Sequence, residues 1–126
     1  MYDYNLYIFF FITDIRVWGL AEQSFPAPVL VQKYGINGTI CAEGWDSNDA
    51  TVVCKQMAYA GGVPFGPRYY SSRTPIWMSN VSCSGTERDI KFCNPQGELD
   101  ISRSCRSSRH AARVFCYRGD GKSNII

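Results

Sequence analysis

Six cysteines in a chain of 126 residues constrain this fold more than any other feature. An even count in a chain this short reads as a disulfide framework made in an oxidising compartment. Zinc is the competing use of clustered cysteines, and the spacing argues against it. No C-x-x-C pair occurs, and the single histidine, His110, has no second ligand at zinc spacing. From spacing alone, fifteen pairings of six cysteines stay open. The length suits one domain, large enough for a real core and small enough to gain from crosslinks.

Apolar periodicity supplies a coarse layout. Residues 15–18 alternate and read as a strand, as do 29–34, following the turn-prone Pro26-Ala27-Pro28. Gly35-Ile36-Asn37-Gly38 is a turn signal, with Asn37-Gly38 the natural hairpin pair, and it leads into Thr39-Ile40-Cys41. The period then changes. Ala50, Val53, Cys54 and Met57 recur at helical spacing, with Ser47 or Asn48 as cap, Asp49 in the first turn and Gly61-Gly62 as the stop. Cys54 therefore faces the core from the helix. Residues 61–75 are rich in Gly, Pro, Ser and Arg and read as a long loop, as do 94–108. Residues 76–78 form a short buried piece, 86–92 at most a short helix, and 114–117 the last strand.

The cysteine-bearing segments also carry a family resemblance. Cys41-Ala-Glu-Gly-Trp45-Asp-Ser-Asn-Asp49-Ala-Thr-Val-Val-Cys54-Lys-Gln-Met57 resembles W-G-T-V-C-D-D-G-W-D-x-x-D-A-x-V-V-C-R-Q-L, the signature of the scavenger receptor cysteine-rich family. Thr74-Pro-Ile-Trp77-Met-Ser-Asn80-Val-Ser-Cys83 is similar to its G-P-I-W-L-D-D-V-x-C, Ser84-Gly-Thr-Glu87 to x-G-T-E, and Val114-Phe-Cys116 to the closing V-x-C. The likeness runs over 14–117, nearly the whole chain. It implies an α+β fold, a curved antiparallel sheet cradling one main helix, with long loops and three disulfides. The implied pairs are Cys41–Cys105, Cys54–Cys116 and Cys83–Cys93. The two long-range bridges would contribute about 4 kcal/mol each and the short one about 3 kcal/mol by chain entropy. Tyr59 stands where many members carry a further cysteine, and 25–28 lacks its partner, which places the chain with the six-cysteine subgroup.

Residues 1–13 stay outside that domain. Their apolar run, 6–12, is too short to span a bilayer and lacks the basic start of a signal peptide, Asp3 standing there instead. A degenerate signal sequence, a fragment of an upstream region and an added strand are the readings weighed, the first two being preferred. Residues 118–126 form a C-terminal tail.

Charge is the main clue to a partner. Residues 1–100 hold seven Lys/Arg and ten Asp/Glu, whereas 101–126 hold six and one. Arg103, Arg106, Arg109 and Arg113, with His110 among them, form a candidate ligand-binding set for polyanionic glycans, lipopolysaccharide or acidic protein surfaces. Relatives of the macrophage scavenger receptor type use basic clusters in this way. The plainer alternative is a solvated loop paired with Glu98, Asp100 and the acidic first half. The resemblance also implies a cation site, reduced here to Glu43, Glu87 and Asn80. Two carboxylates are few for Ca2+, so ordinary surface acids is the preferred reading, and no cofactor is required.

Asn37-Gly-Thr39 and Asn80-Val-Ser82 fit the N-glycosylation sequon, the turn being preferred at Asn37. Arg118-Gly119-Asp120 matches the integrin tripeptide, a match common by chance. Catalysis finds no support. His110 follows Cys105, which the framework consumes, and no nucleophile with an adjacent base and orienting group stands apart. Trp18, Trp45 and Trp77 read as core aromatics. The expected function is an extracellular, secreted or membrane-anchored binding module, one unit of a larger or oligomeric receptor. An adhesion or immune protein–protein module and an accessory domain of a secreted enzyme are the alternatives.

Overall fold

The computed structural model describes residues 16–21, 26–70, 73–93, 105 and 110–119. The strands are β1 (Arg16–Leu20), β2 (Ala27–Lys33), β3 (Ile36–Ile40), β4 (Gly61–Arg68), β5 (Ile76–Met78) and β6 (Ala111–Tyr117). One helix, α1 (Ser47–Gln56), and a 3₁₀ turn at Ile90–Cys93 complete the described elements. The sheet runs in the order β4-β6-β2-β3-β5, with β1 also paired to β2. It curls around the helix as expected, but it is mixed: β3 and β5 run parallel while the other pairs are antiparallel.

The core lies between the concave sheet and α1. Val29 and Val31 of β2, Ile40 of β3, and Ala112, Val114 and Cys116 of β6 meet Ala50, Val53 and Cys54 of the helix, all fully buried. In β6 the inward residues alternate with the partly exposed Arg113 and Phe115, as a pleated strand with one face on the core requires. All three expected bridges form, Cys41–Cys105, Cys54–Cys116 and Cys83–Cys93, with Cα separations of 5.7, 5.5 and 4.6 Å. Cys54–Cys116 fastens the helix to a central strand. Gly62 sits directly over it, where a Cβ would collide with the Cys54 sulfur and lie 2.9 Å from the Ala50 carbonyl.

Three local expectations are corrected. The β2–β3 hairpin turns at Tyr34-Gly35, not Asn37-Gly38. Both residues take positive φ, 57° and 74°, and Lys33 pairs with Ile36 across them. Gly38 belongs to β3 because the Trp77 indole lies against its Cα. Residues 61–68 form a strand instead of a loop. β4 ends the sheet, so only one of its edges needs ladder donors, and Pro64 and Pro67 are tolerated there. The helix cap is Asp46 and not Ser47 or Asn48: Asp46 Oδ1 accepts from the Asp49 N–H at 3.0 Å while Asp49 Oδ2 accepts from the Asp46 N–H at 2.9 Å. The strands at 16–20, 27–33 and 111–117 overlap the expected ones but differ at their ends. Segments 1–13 and 94–104 lie outside the described residues.

Asp49 does more than the first-turn charge expected of it. It is fully buried, and its second oxygen accepts from the Cys83 N–H at 2.8 Å, tying the helix start to the loop closed by Cys83–Cys93. Burial pushes its pKa up to about 6, against the lowering effect of the N–H groups of Cys83 and Asp46. A second buried charge, Lys33, places its ammonium 5.0 Å from the Tyr34 ring centre and 5.7 Å from that of Trp77.

Two predictions follow from this packing. Because the folded protein holds the Asp49 proton more tightly than the unfolded chain, the stability contributed by this group is full below about pH 4 and is lost as pH rises through about 6. Urea unfolding of wild type and Asp49→Asn between pH 4 and 7 should therefore give a stability difference that shifts against the wild type as pH rises; parallel curves would contradict the assignment. Removing Cys54–Cys116 by paired alanines should lower stability by about 4 kcal/mol, against about 3 kcal/mol for Cys83–Cys93, and denaturant unfolding that reversed this ranking would contradict it.

Candidate ligand-binding surface

The outer face of β4 and β6 carries Phe65, Arg113, Phe115 and Tyr117 side by side. Register pairs Gly61 with Tyr117, Val63 with Phe115, and Phe65 with Arg113. The inward neighbours on β6 are core residues, so these side chains point outward by strand alternation. Arg113 is fixed from both sides. Its Nε donates to the Gly66 carbonyl at 2.9 Å, its guanidinium carbon lies 5.8 Å from the Phe65 ring centre, and its own carbonyl accepts from Trp45 Nε1 at 3.1 Å. The part-buried Trp45 contact holds the strand backbone while Phe65 and Gly66 orient the cation outside. Arg68 joins this face one step along: it is exposed and stands opposite Ala111, two residues along β6 from Arg113.

Of the four arginines singled out by charge, Arg113 is the one in the described structure; Arg103, Arg106 and Arg109 lie outside the described residues. Cys105, between Arg103 and Arg106 in the chain, is buried and bridged to Cys41. Cys41 in turn makes an isolated antiparallel bridge to Ala111 at the start of β6.

Two clefts open beside the end of β4. One, of about 190 Å³, has the Cys41–Cys105 bridge in its wall with Glu43, Pro67 and His110. The other, of about 260 Å³, is lined by Ala21, Pro28, Arg68, Tyr69 and Tyr70. Neither stood out in the sequence, since the segment that brings Pro67 and Arg68 to them read as a loop. The tyrosine pair beside an arginine was the signal available.

Glu43 groups with Cys41 and Cys105, and Glu87 with Cys83 and Cys93, and in both groups the sulfurs are already joined to each other and leave one carboxylate as ligand. Glu87 accepts from the backbone N–H of Ser84 at 2.9 Å and of Gly85 at 3.1 Å, and the Ser84 bond holds its carboxyl below the usual range. Asn80 is exposed in the left-handed region at φ 54°. Its sequon partner Ser82 is exposed as well, whereas Thr39 of the Asn37 sequon is fully buried. Asn37 is exposed on β3 and accepts from Gln32 Nε2 at 3.2 Å. Trp77 donates from Nε1 to the Ile36 carbonyl at 2.9 Å, and it and Trp45 pack against the core as expected. The side chain of Trp18 and the residue Asp120 lie outside the described residues.

A curled mixed sheet around one helix, stapled by three disulfides, defines a disulfide-stabilised domain of the kind made in an oxidising compartment. The family model for the scavenger receptor cysteine-rich domain matches residues 26–117, and the chain belongs to that family. A scavenger receptor cysteine-rich domain superfamily protein of Patiria pectinifera is 37% identical over 86 residues, 64% of this chain. The chain spans about 7% of that relative's length. Among solved structures, the dimeric form of the SRCR domain of mouse MARCO matches with a TM-score of 0.54 at 30% identity, over 71% of this chain and 83% of that one. The third SRCR domain of murine neurotrypsin matches with a TM-score of 0.63 at 30% identity, over 82% of this chain and 94% of that one. Domains of this family are extracellular, typically non-catalytic modules that bind protein or other ligands. Among the described residues, no helix is long and apolar enough to cross a membrane.

Proposed function

We propose that this domain recognises polyanionic ligands, such as sulfated glycans, lipopolysaccharide or acidic protein surfaces, through an arginine face, without catalysis. The face comprises Arg113 and the neighbouring chain arginines Arg103, Arg106 and Arg109. The observation that carries the reading is the mounting of Arg113, whose Nε is held by Gly66 while Phe65 backs its guanidinium on the outer side of β6. A guanidinium oriented in this way presents its terminal nitrogens as a fork for sulfate or carboxylate oxygens with little ordering left to do on binding. The excess of cations over acids in 101–126 supports the same ligand class.

Recognition by single copies is weak, and the domain acts as one unit of a larger or oligomeric receptor, secreted or displayed as an ectodomain, in which avidity multiplies affinity. Its short span relative to the Patiria relative supports that arrangement. On this reading no cofactor is required, since Glu43 and Glu87 supply only two carboxylates where Ca2+ takes more oxygen ligands. Asn80 is the preferred glycan acceptor, given its exposed sequon.

A second reading has its own observation. Val63, Phe65 and Tyr117 are each about two-fifths exposed, at 44%, 38% and 41%, and with the partly exposed Phe115 they make an apolar stripe suited to a neutral protein interface. Salt dependence separates the two, since charge-driven binding weakens as screening rises and apolar docking does not.

On immobilised heparin the wild type should elute above physiological salt with or without EDTA, and Arg106→Ala/Arg109→Ala/Arg113→Ala should elute earlier. Elution at or below physiological salt, unchanged by the substitutions, would contradict the polyanion reading.

A further inference from the structure

The larger cleft is not explained by the core or by the arginine set. Its walls come from two separate parts of the chain. Ala21 and Pro28 sit where β1 and β2 separate, their backbones joined by the Ala21 N–H bond to the Pro28 carbonyl at 3.0 Å. Arg68, Tyr69 and Tyr70 end β4 and begin the connection to β5. The arginine is exposed, and the tyrosines are 56% and 36% exposed. Two aromatic side chains and a cation here line one cavity of about 260 Å³, a concave site with apolar surface and a polar group to orient a ligand.

We propose that this cleft is a subsite for one acidic sugar residue, a uronate or a sulfated hexose, within a polyanionic glycan. The assignment rests on the polyanion reading and narrows it to a ligand and a place. Arg68 offers the planar fork that matches a carboxylate or sulfate. Tyr69 and Tyr70 offer apolar ring faces for the C–H side of a pyranose and hydroxyls that donate to and accept from its oxygens. Pro28 and Ala21 close the cleft with short apolar groups that leave room for a ring but carry no competing charge. Arg68 stands opposite Ala111, two residues from Arg113 along β6 and past the register shift that follows Phe65, so a chain seated in the cleft would continue toward the Arg113 guanidinium.

The probe is a sulfated, uronate-containing heparin disaccharide, titrated against the intact chain while the Tyr69 and Tyr70 ring resonances are followed by NMR. A neutral disaccharide and a mononucleotide are run at the same millimolar concentrations. The expected result is saturable shifts of both tyrosines with the acidic disaccharide and none with the neutral one. Arg68→Ala and Tyr70→Ala should each weaken binding about tenfold. Arg68→Lys should weaken it less, and Arg88→Ala, which adds nothing to the cleft walls, should leave it unchanged. All three positions are exposed, and unchanged near-ultraviolet circular dichroism checks that each variant is folded. Silent tyrosines, or affinity unaffected by Arg68→Ala, would overturn the proposal, as would a mononucleotide that shifts the same rings more strongly. Heparin retention with a silent disaccharide removes the cleft assignment alone. A cleft that takes the disaccharide in a protein that heparin does not retain removes the polyanion reading, and with it the subsite within a longer glycan, and leaves a site for a free acidic sugar.

Discussion

The Cys54–Cys116 bridge is the contact on which the rest of the molecule depends. It joins the only described helix to a strand near the middle of the sheet, across a core whose other members are mostly valine, isoleucine and alanine. Side chains of that size fill a thin layer and do not by themselves fix how far the helix stands from the sheet. The bridge does so covalently, and Gly62 lets β4 pass directly over the sulfur. Register along β6 then follows. With Cys116 turned inward, Val114 and Ala112 must be inward too, and Arg113, Phe115 and Tyr117 must face out. The position of the arginine at the proposed site is thus a consequence of where a cysteine is anchored.

The other two bridges act at the margins of the same core. Cys83–Cys93 closes a loop whose first residue donates to buried Asp49, so the helix start, its cap and that loop form one hydrogen-bonded unit. Cys41–Cys105 secures the chain on which Arg103, Arg106 and Arg109 lie, next to the bridge from Cys41 to Ala111. Cys83–Cys93 therefore acts through the Asp49 bond on the start of the helix, and Cys41–Cys105 acts beside the start of β6.

Helical spacing at Ala50, Val53 and Cys54 made the buried face of the helix legible in the sequence, and the motif resemblance supplied the closing Val114-Phe115-Cys116 and the cysteine pairing. What stayed hidden was set by tertiary contacts. Residues 61–68 contain three glycines and two prolines and gave no alternating apolar signal; they form a strand because β6 offers an open edge and because glycine is needed over Cys54. Asn37-Gly38 has the stronger turn propensity, yet the Trp77 indole needs the space at Gly38, so the turn moves to Tyr34-Gly35 despite a tyrosine at positive φ. Asp49 looked like a helix-start charge and is a buried tie, because its partner, the Cys83 N–H, is 34 residues away. The cleft at Arg68, Tyr69 and Tyr70 was missed for the same reason as β4.

Non-reducing proteolysis with mass spectrometry of natively purified protein tests the framework most directly. Peptides joined as Cys54 with Cys116, Cys41 with Cys105 and Cys83 with Cys93, and no alkylatable thiol, are the expected result. A free sulfhydryl at Cys54 or Cys116, or either one linked to a different partner, would contradict the account.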